Sequence, residues 1–357
     1  MSRRAATLMV TSVLVLVFGL FGALMPVPYV MLTPGPTTNT LGETAKGQPL
    51  IEITGRQTYP YNGYLNFTTV AYQGGPGNRI DLLSALRGWL DPKTAVVPEE
   101  AIFPENESVQ KVEQENTAQM ESSQESAIAA ALTELKIPIT TAIKVASLQR
   151  GLPAERVLRK NDQVVAVDGA KVTKVEDVSA AIGKRPPGET VKITIKRNGK
   201  EQTVSVATVP ASAAAGARAG KAVIGVVLGE DHEFPFTVKI SVGDVGGPSA
   251  GLMFSLGIYD KLTPGALTGG TFVAGTGTIT ADGEVGPIGG IQQKMIAARD
   301  AGAKVFLTPA DNCAEAAAHV PEGLRLIKAG TMHDTIASLE ALRTGKGTVA
   351  TCPGSEG

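Results

Sequence analysis

Two residues of this chain lie in settings that favour chemistry: a serine where an apolar helix begins, and a lysine inside a second helix. Ser249 belongs to the segment Gly-Gly-Pro-Ser-Ala-Gly-Leu, and the helix predicted after it, to about Tyr259, is apolar on nearly every side. Such a helix must be buried. Pro248 suits the first helical turn, where its missing N–H has no partner to lose. Backbone N–H groups at such a start lack acceptors and can hold an oxyanion.

The lysine follows a second glycine-rich segment, Gly-Pro-Ile-Gly-Gly-Ile, at residues 286–291. At helical spacing Lys294 shares one face with Ile291, Met295 and Ala298. A lysine within an apolar face is unusual, because burial disfavours its charged form. We therefore expect an amine whose setting favours loss of its proton.

Strand and helix patterns alternate around these two helices. Residues 235–242 alternate in polarity and predict a strand with one buried face. Strands at Val305–Leu307 and Leu324–Lys328 follow the lysine helix, and a closing helix is predicted over Met332–Leu342. Strand, helix and strand in this order indicate a crossover connection onto a sheet.

The two glycine-rich frames together resemble the proteolytic domain of Lon proteases, over about residues 221–345. The serine lies 45 residues before the lysine of Gly-Pro-Ile-Gly-Gly-Ile-Gln-Gln-Lys. The resemblance implies that Ser249 is the nucleophile and Lys294 the general base, since a serine hydroxyl is a weak nucleophile without a neighbouring base. It also implies that Thr276 supports the lysine through its hydroxyl. The N–H groups of Ser249, Ala250 and Gly247 are the oxyanion-hole candidates.

Two features depart from that family. Many Lon enzymes carry histidines on the strand before the serine, whereas this chain has Pro-Phe-Thr-Val at residues 235–238, so either a dyad suffices or activity is low. No Gly-x-x-x-x-Gly-Lys-Ser/Thr phosphate-binding loop occurs, and we expect no ATPase module in this chain. Two alternatives stay open: a phosphate-binding helix start, as in small-molecule kinases, and an inactive protease domain acting with a binding module as a scaffold.

Residues 136–210 predict a compact β-rich domain that resembles bacterial PDZ domains. The stretch Gly-Leu-Pro-Ala-Glu-Arg-Val-Leu-Arg-Lys-Asn-Asp-Gln-Val-Val-Ala-Val-Asp-Gly, which begins at residue 151, carries the resemblance. Leu152 replaces the usual small residue and Asn161 replaces glycine, a mild change because asparagine tolerates left-handed backbone. PDZ domains capture extended peptides at a sheet edge. No carboxylate-binding loop is evident before the first strand, so docking of internal segments is equally open.

The N-terminus predicts a membrane anchor. Arg3 and Arg4 precede an uncharged stretch of 21 residues, from Ala5 to Met25. As a helix it would be about 32 Å long, enough to cross a bilayer, with its basic end in the cytoplasm. A cleaved signal peptide is the competing interpretation, although no clear cleavage site ends the run. The remaining residues, from about Tyr29, are expected outside the cytoplasm.

Composition excludes several classes. Lys and Arg number 33 against 34 Asp and Glu, which argues against a nucleic-acid binder. Three histidines and two cysteines are too few and scattered for a zinc site, and we expect no metal and no cofactor. Cys313 and Cys352 either pair in an oxidising compartment or stay free.

The sequence therefore predicts an α+β protein with an N-terminal transmembrane helix, a PDZ-like domain and a Lon-type α/β proteolytic domain. Its expected function is that of a membrane-anchored serine endopeptidase acting on extracytoplasmic proteins or peptides. The resemblance also implies a homo-oligomer, since Lon enzymes commonly assemble as hexameric rings. The predicted divisions are an anchor (1–28), a membrane-proximal region (29–135), the PDZ-like domain (136–210), a linker (211–219), the proteolytic domain (221–345) and a tail (346–357).

Overall fold

A computed structural model describes residues 3–44, 46–60, 63–104, 107–211 and 221–354. The chain forms two compact units. The first combines Met1–Ile137 with Phe236–Gly357, and the second is Pro138–Pro235. The second unit is thus an insertion in the sequence of the first. The predicted linker at 211–219 lies outside the described residues, apart from Ala211.

The first unit is built on a six-stranded mixed sheet. Its strands, in spatial order, are β18 (Arg325–Ala329), β17 (Val305–Pro309), β14 (Phe272–Gly275), β3 (Tyr64–Gly74), β1 (Tyr29–Asn39) and β4 (Ala95–Pro98). The pairs from β18 to β3 are parallel, and β3–β1 and β1–β4 are antiparallel. Two small ribbons complete the unit: β2 (Ile51–Thr54) with β13 (Thr237–Ile240), and β15 (Thr278–Ile279) with β16 (Val285–Gly286).

Helices precede, connect and follow these strands. They are α1 (Arg3–Ala23), α2 (Leu82–Leu90), α3 (Val109–Glu134), α5 (Gly251–Leu262), α6 (Ile291–Asp300), α7 (Cys313–Ala317) and α8 (Met332–Thr344). The chain runs from β14 through α6 to its parallel neighbour β17, and from β17 through α7 to β18. These are the crossovers that the alternation of strand and helix predicts.

The N-terminal region contributes directly to this sheet. The sequence-based division sets residues 29–135 apart from the domain at 221–345, whereas β1, β3 and β4 share a sheet with β14, β17 and β18. Helix α3 also packs against α5. Local patterns cannot reveal pairing between strands some 200 residues apart, such as Phe67 with Gly275.

The second unit is a β-rich domain around one apolar core. Its main sheet has the order β12 (Val226–Glu233), β5 (Thr140–Leu148), β6 (Gln163–Val167), β8 (Thr190–Arg197) and β9 (Lys200–Ala207). β7 (Ala170–Lys171) pairs with β6, β10 (Val209–Pro210) pairs with β11 (Ala222–Val223), and α4 (Val175–Gly183) is the helix of the unit. The described residues after 220 therefore add an edge strand to the PDZ-like domain predicted at 136–210.

Helix α1 is the one helix in the described part of the chain that is long and apolar enough to cross a membrane. Its mean hydropathy reaches 2.2 over 18 residues, and none of these residues is buried in the protein. A signal sequence has the same character. Length and composition therefore agree with the predicted anchor without separating it from the competing interpretation.

Candidate active site

Ser249 lies in the loop that leads into α5, in the first unit. The helix begins at Gly251 with Ala250 as its N-cap, so the serine comes two residues before the first helical residue rather than within the first turn. The large apolar side chains of α5, including Leu252, Phe254 and Leu256, are fully buried, as their pattern predicts. A buried helix fixes the loop in front of it, because the loop can move only if the core moves.

Lys294 is in the first turns of α6 and points inward. Its side chain is 3 % exposed, and Ile291, Met295 and Ala298, which share its face, are fully buried. The Nζ atom donates to Ser249 Oγ at 2.8 Å and to Thr276 Oγ1 at 3.1 Å. The structure thus brings together the serine and the lysine that the sequence singles out.

The surroundings of Lys294 lower its basicity. Burial lowers the pKa of the amine to about 8, because the charged form loses its hydration. No carboxylate forms an ion pair with Lys294 among the residues that the structure describes. At pH 7 an amine with this pKa is neutral for about a tenth of the time, against roughly one part in three thousand for an ordinary lysine.

Thr276 ties the lysine to the serine loop. It follows β14 directly and is fully buried. Its hydroxyl donates to the carbonyl oxygen of Ser249 at 2.9 Å and accepts from Lys294. The N–H of Gly277 donates to the same Ser249 carbonyl at 2.8 Å. Two donors on one carbonyl hold the backbone of the serine in a single orientation.

Helix α3 holds the same loop from the other side. Ser123 Oγ donates to the carbonyl oxygen of Pro248 at 2.9 Å, and the carbonyl of Asn116 accepts the N–H of Gly247 at 2.9 Å. Sequence reasoning assigns no role to this helix. Ser123 lies in a polar run, 125 residues before its partner, and no local signal marks it.

These contacts divide the three oxyanion-hole candidates. The N–H of Gly247 is already bonded to Asn116, and Gly247 has a φ of 82°. The N–H groups of Ser249 and Ala250 have no acceptor within the described ranges. Only these two remain available to a developing oxyanion in this conformation, whereas Gly247 positions the loop.

Ser249 and Lys294 open into a groove of about 1260 Å³. One wall is the second half of β3, beyond the residues that pair with β14. The other walls come from α3, the loop before Ser249 and the segment before α6. Asp244, in the loop before Ser249, is among the lining residues.

Asn312 fixes the groove wall that precedes α6. Its side-chain oxygen accepts the N–H of Ile288 at 2.9 Å, and its amide nitrogen donates to the Ile288 carbonyl at 3.0 Å. The next residue, Cys313, is in a disulfide with Cys352. The two cysteines therefore pair, and the bond fastens the C-terminal tail beside this wall.

No group of three His, Cys, Asp or Glu side chains could hold a metal ion in the part of the chain that the structure describes. His232 lies in β12 of the second unit, and His333 bonds Glu134. The lysine is the basic group in contact with Ser249.

The second unit has a candidate peptide site of its own. β12 pairs with β5 on one side only, and α4 packs beside it. The residues before β12 are Ile224 and Gly225, and Gly225 has a φ of 81°. The sequence shows no carboxylate-binding loop before the first strand of the domain, β5. The sequence signal of this edge, Ile-Gly-Val-Val-Leu at 224–228, lies instead near the end of the unit.

Comparison with known proteins agrees with both units. The sequence matches the family model of the PDZ domain over residues 109–208 and that of the Lon protease (S16) C-terminal proteolytic domain over residues 208–340. The Lon protease of Azospirillum brasilense is 41 % identical over 93 residues, which are 25 % of this chain and 11 % of that protein. The Lon protease of Koribacter versatilis is 36 % identical over 94 residues, 26 % of this chain and 11 % of that protein. The chain thus spans about a tenth of the length of these relatives.

Solved structures of PDZ domains are also similar to part of the chain. The PDZ domain of the SdrC-like protein from Listeria monocytogenes is 24 % identical and covers 24 % of this chain and 85 % of its own, with a TM-score of 0.22. The corresponding domain from Listeria innocua is 24 % identical, covers 24 % of this chain and 92 % of its own, and has the same TM-score of 0.22.

The fold and the family matches define a serine-peptidase domain of the Lon type. The chain combines this domain with a segment that matches the PDZ domain. The α+β prediction and the family resemblance are confirmed.

Proposed function

We propose that this protein is a membrane-anchored serine endopeptidase that uses Ser249 and Lys294 as a catalytic dyad, without an ATPase in this chain. The observation that carries the proposal is the 2.8 Å contact between Lys294 Nζ and Ser249 Oγ, made by an amine that is buried and has a pKa lowered to about 8. The nucleophile and its base are within hydrogen-bond reach, as general-base catalysis requires.

The reaction proceeds in two halves. Neutral Lys294 takes the proton of Ser249 Oγ as that oxygen attacks the carbonyl carbon of the scissile peptide. The N–H groups of Ser249 and Ala250 stabilise the oxyanion. The lysine, now charged, gives its proton to the leaving amine, and an acyl-serine ester remains. A water molecule then attacks the ester while the same lysine takes its proton. The charged lysine gives that proton to Ser249 Oγ as the ester bond breaks, which restores the free enzyme.

Thr276 serves as a positioning residue in this scheme. Its hydroxyl accepts from Lys294 Nζ and donates to the Ser249 carbonyl. It therefore orients the base and the nucleophile loop together without touching the reacting carbonyl.

The groove and the PDZ domain indicate the substrate class. The part of β3 along one wall of the groove pairs with β1 but not with β14, and this free edge could take an extended chain. The edge of β12 offers a second place for an extended segment, which PDZ domains add to a sheet. We propose that unfolded segments of proteins or peptides are the substrates. Assembly as a homo-oligomer, with a hexamer as the state that the family resemblance implies, is part of the proposal and rests on the family alone.

Helix α1 and the disulfide support an extracytoplasmic position. The basic residues Arg3 and Arg4 precede the apolar helix, which favours a cytoplasmic N-terminus. The bond between Cys313 and Cys352 is typical of proteins in oxidising compartments. We propose a single-pass topology in which both compact units lie outside the cytoplasm. Resistance to carbonate extraction and the mass of the mature N-terminus test this topology against a cleaved signal peptide.

Cleavage of a casein-like substrate by the purified full chain, without nucleotide, tests the catalytic proposal. Ser249→Ala and Lys294→Ala are each expected to reduce the rate by at least about a thousandfold, because neither half of the dyad works alone. Lys304→Ala is the matched control, since Lys304 is exposed just before β17. Nucleotide-independent cleavage that survives Lys294→Ala would remove the lysine from the mechanism.

A further inference from the structure

Helix α2 buries its small residues and exposes its large apolar ones, whereas a helix that covers a core buries its large apolar residues. Its small residues face the protein: Ala85 and Gly88 are buried, and Gly88 lies so close to Val96 and Met31 that a Cβ atom would be within 3.0 Å of both. Its large residues face outward. Leu90 is 85 % exposed, Trp89 52 %, Leu86 45 % and Leu83 39 %.

The exposed leucines form one continuous face. Leu83, Leu86 and Leu90 are spaced by three and four residues and therefore lie along one side of the helix. Arg87 is the single charged residue of α2 and is exposed. Exposed apolar faces that are contiguous usually mark an interaction surface.

The position of α2 indicates what covers this face. The N–H of Leu82, the first residue of α2, donates to the carbonyl of Met25, two residues after α1 ends. Asp81 and Pro26 form a β-bridge, and α1 contacts α2. Leu24 and Met25, between the two helices, are also exposed. The apolar surface is thus continuous from the end of α1 onto α2.

An aromatic pair lies where α2 meets the start of β1. The Trp89 ring packs edge-to-face on Tyr29, with centroids 5.5 Å apart, and Tyr29 is the first residue of β1. Tryptophan and tyrosine are enriched where proteins cross the boundary between lipid tails and water.

We infer that α2 lies in the membrane interface, with Leu83, Leu86 and Leu90 among the lipid acyl chains at the point where α1 leaves the bilayer. This inference rests on the proposed anchor. A helix of about 32 Å ends at the boundary of the hydrocarbon layer, and backbone hydrogen bonds hold α2 within a few residues of that end. Arg87 then lies beside the lipid headgroups, as basic residues of interfacial helices do. The second contact with the membrane restricts the swivelling of the first unit about its anchor.

Tryptophan fluorescence tests this inference directly, because Trp89 is the single tryptophan of the chain. The full chain is reconstituted in phosphatidylcholine vesicles with and without brominated acyl chains, and Trp89 emission is measured. We expect brominated lipid to reduce the emission about twofold and the vesicles to shield the indole from aqueous acrylamide. In detergent-free vesicles of unlabelled lipid the emission maximum should lie at a shorter wavelength than that of an indole exposed to water.

Two double variants at the same positions test how the quenching by brominated lipid depends on the apolar character of this face. Leu86→Ala/Leu90→Ala reduces the apolar area without adding charge, and Leu86→Glu/Leu90→Glu adds charge to the face. Quenching should fall from wild type to the alanine variant and nearly vanish in the glutamate variant. Both pairs of side chains are exposed, so the thermal midpoints in detergent should match wild type and exclude a folding defect.

The outcomes separate this inference from the anchor. Carbonate-resistant protein whose Trp89 is quenched by acrylamide but not by brominated lipid would overturn the interfacial helix and leave the anchor standing. Trp89 shielded from both quenchers, with crosslinks between copies through α2, would also overturn it and identify a second copy as the occupant. Protein released by carbonate would refute the anchor, and brominated-lipid quenching would then support α2 by itself.

Discussion

The second unit (the PDZ unit) and the first unit (the peptidase unit) each contain a buried charged group, Asp162 and Lys294, and the surroundings of these two groups differ. In the PDZ unit Asp162 is 2 % exposed, and Arg197 binds it through Nε and Nη2, both at 2.6 Å. In the peptidase unit Lys294 is 3 % exposed, and its Nζ donates to the hydroxyls of Ser249 and Thr276, with no ion-pair partner among the described residues. One charge is matched by a counter-ion, and the other is left without one.

The difference appears in the pKa values. Burial raises the pKa of Asp162, but the hydrogen bonds from Arg197 and from the N–H of Arg159 outweigh it, and the net pKa is lowered. Burial alone lowers the pKa of Lys294 to about 8. The paired group is fixed in its charged form, whereas the unpaired group can exchange its proton near neutral pH. Only the second can serve as an acid–base catalyst.

The comparison is tested most strongly by removing the unpaired charge. We expect Lys294→Met to reduce kcat/KM by at least about a thousandfold, because the serine loses its base. Stability at pH 7 should be unchanged or higher, since a buried amine that is mostly protonated is replaced by an apolar side chain of similar length. Peptidase assays and urea unfolding of the same preparation measure both effects. A variant that is inactive because it unfolds would refute this interpretation.

Removing the partner of the paired charge should do the reverse. Arg197→Met leaves Asp162 buried without its counter-ion, and we expect the PDZ unit to lose about 3 kcal/mol of stability. The peptidase rate on short peptides should be unchanged, because the dyad lies in the other unit. Arg156→Met is a suitable control, since Arg156 is exposed and its substitution should have little effect. A loss well below about 1 kcal/mol would mean that the pair is solvated despite its burial.

The two groups should change stability in the same direction but in different pH windows. The folded pKa of Lys294 is below that of an unfolded lysine, so the unfolded chain binds more protons between about pH 8 and 10.5, and stability rises with pH in that window. Comparing wild type with Lys294→Met isolates this contribution, which is up to about 3 kcal/mol. The lowered pKa of Asp162 acts in the acid range, where stability is lost as pH falls below the ordinary aspartate pKa of 3.8.

Catalysis should follow the same titration. The base must be neutral, so kcat/KM is expected to rise with pH to a plateau, with a midpoint at about 8. A profile that is flat between pH 6 and 9 would contradict a lysine base with this pKa.

The sequence alone marks Ser249 and Lys294, because a distinctive helix accompanies each of them. Lys294 shares a helical face with fully buried neighbours, and Ser249 precedes a helix that is apolar all round. Both signals are local, and a contact across 45 residues followed only from the family resemblance. The contacts from α3 to the serine loop carry no local signal, since a serine in a polar run has many possible partners.

The domain boundaries show the same limit. The strands in the middle of the peptidase sheet, β3 and β1, come from the N-terminal region, and an edge strand of the PDZ unit, β12, comes from beyond its predicted end. Strand patterns predict which residues are extended, but pairing is decided by what the whole fold buries. The family matches, at 109–208 and 208–340, also divide the chain at other positions than the two compact units do.

The smallest effect expected concerns how the unpaired amine is held. Thr276→Val keeps the shape of the side chain and removes the hydroxyl that bonds both Lys294 Nζ and the Ser249 carbonyl. We expect kcat to fall about tenfold with little change in KM, because binding in the groove is intact while the base is less well oriented. The pH midpoint should move further down, since the protonated amine loses an acceptor. Thr276→Ser retains the hydroxyl and should recover most of the rate and the original midpoint. A loss in the serine variant as large as that in the valine variant would contradict this role, because serine retains the hydroxyl.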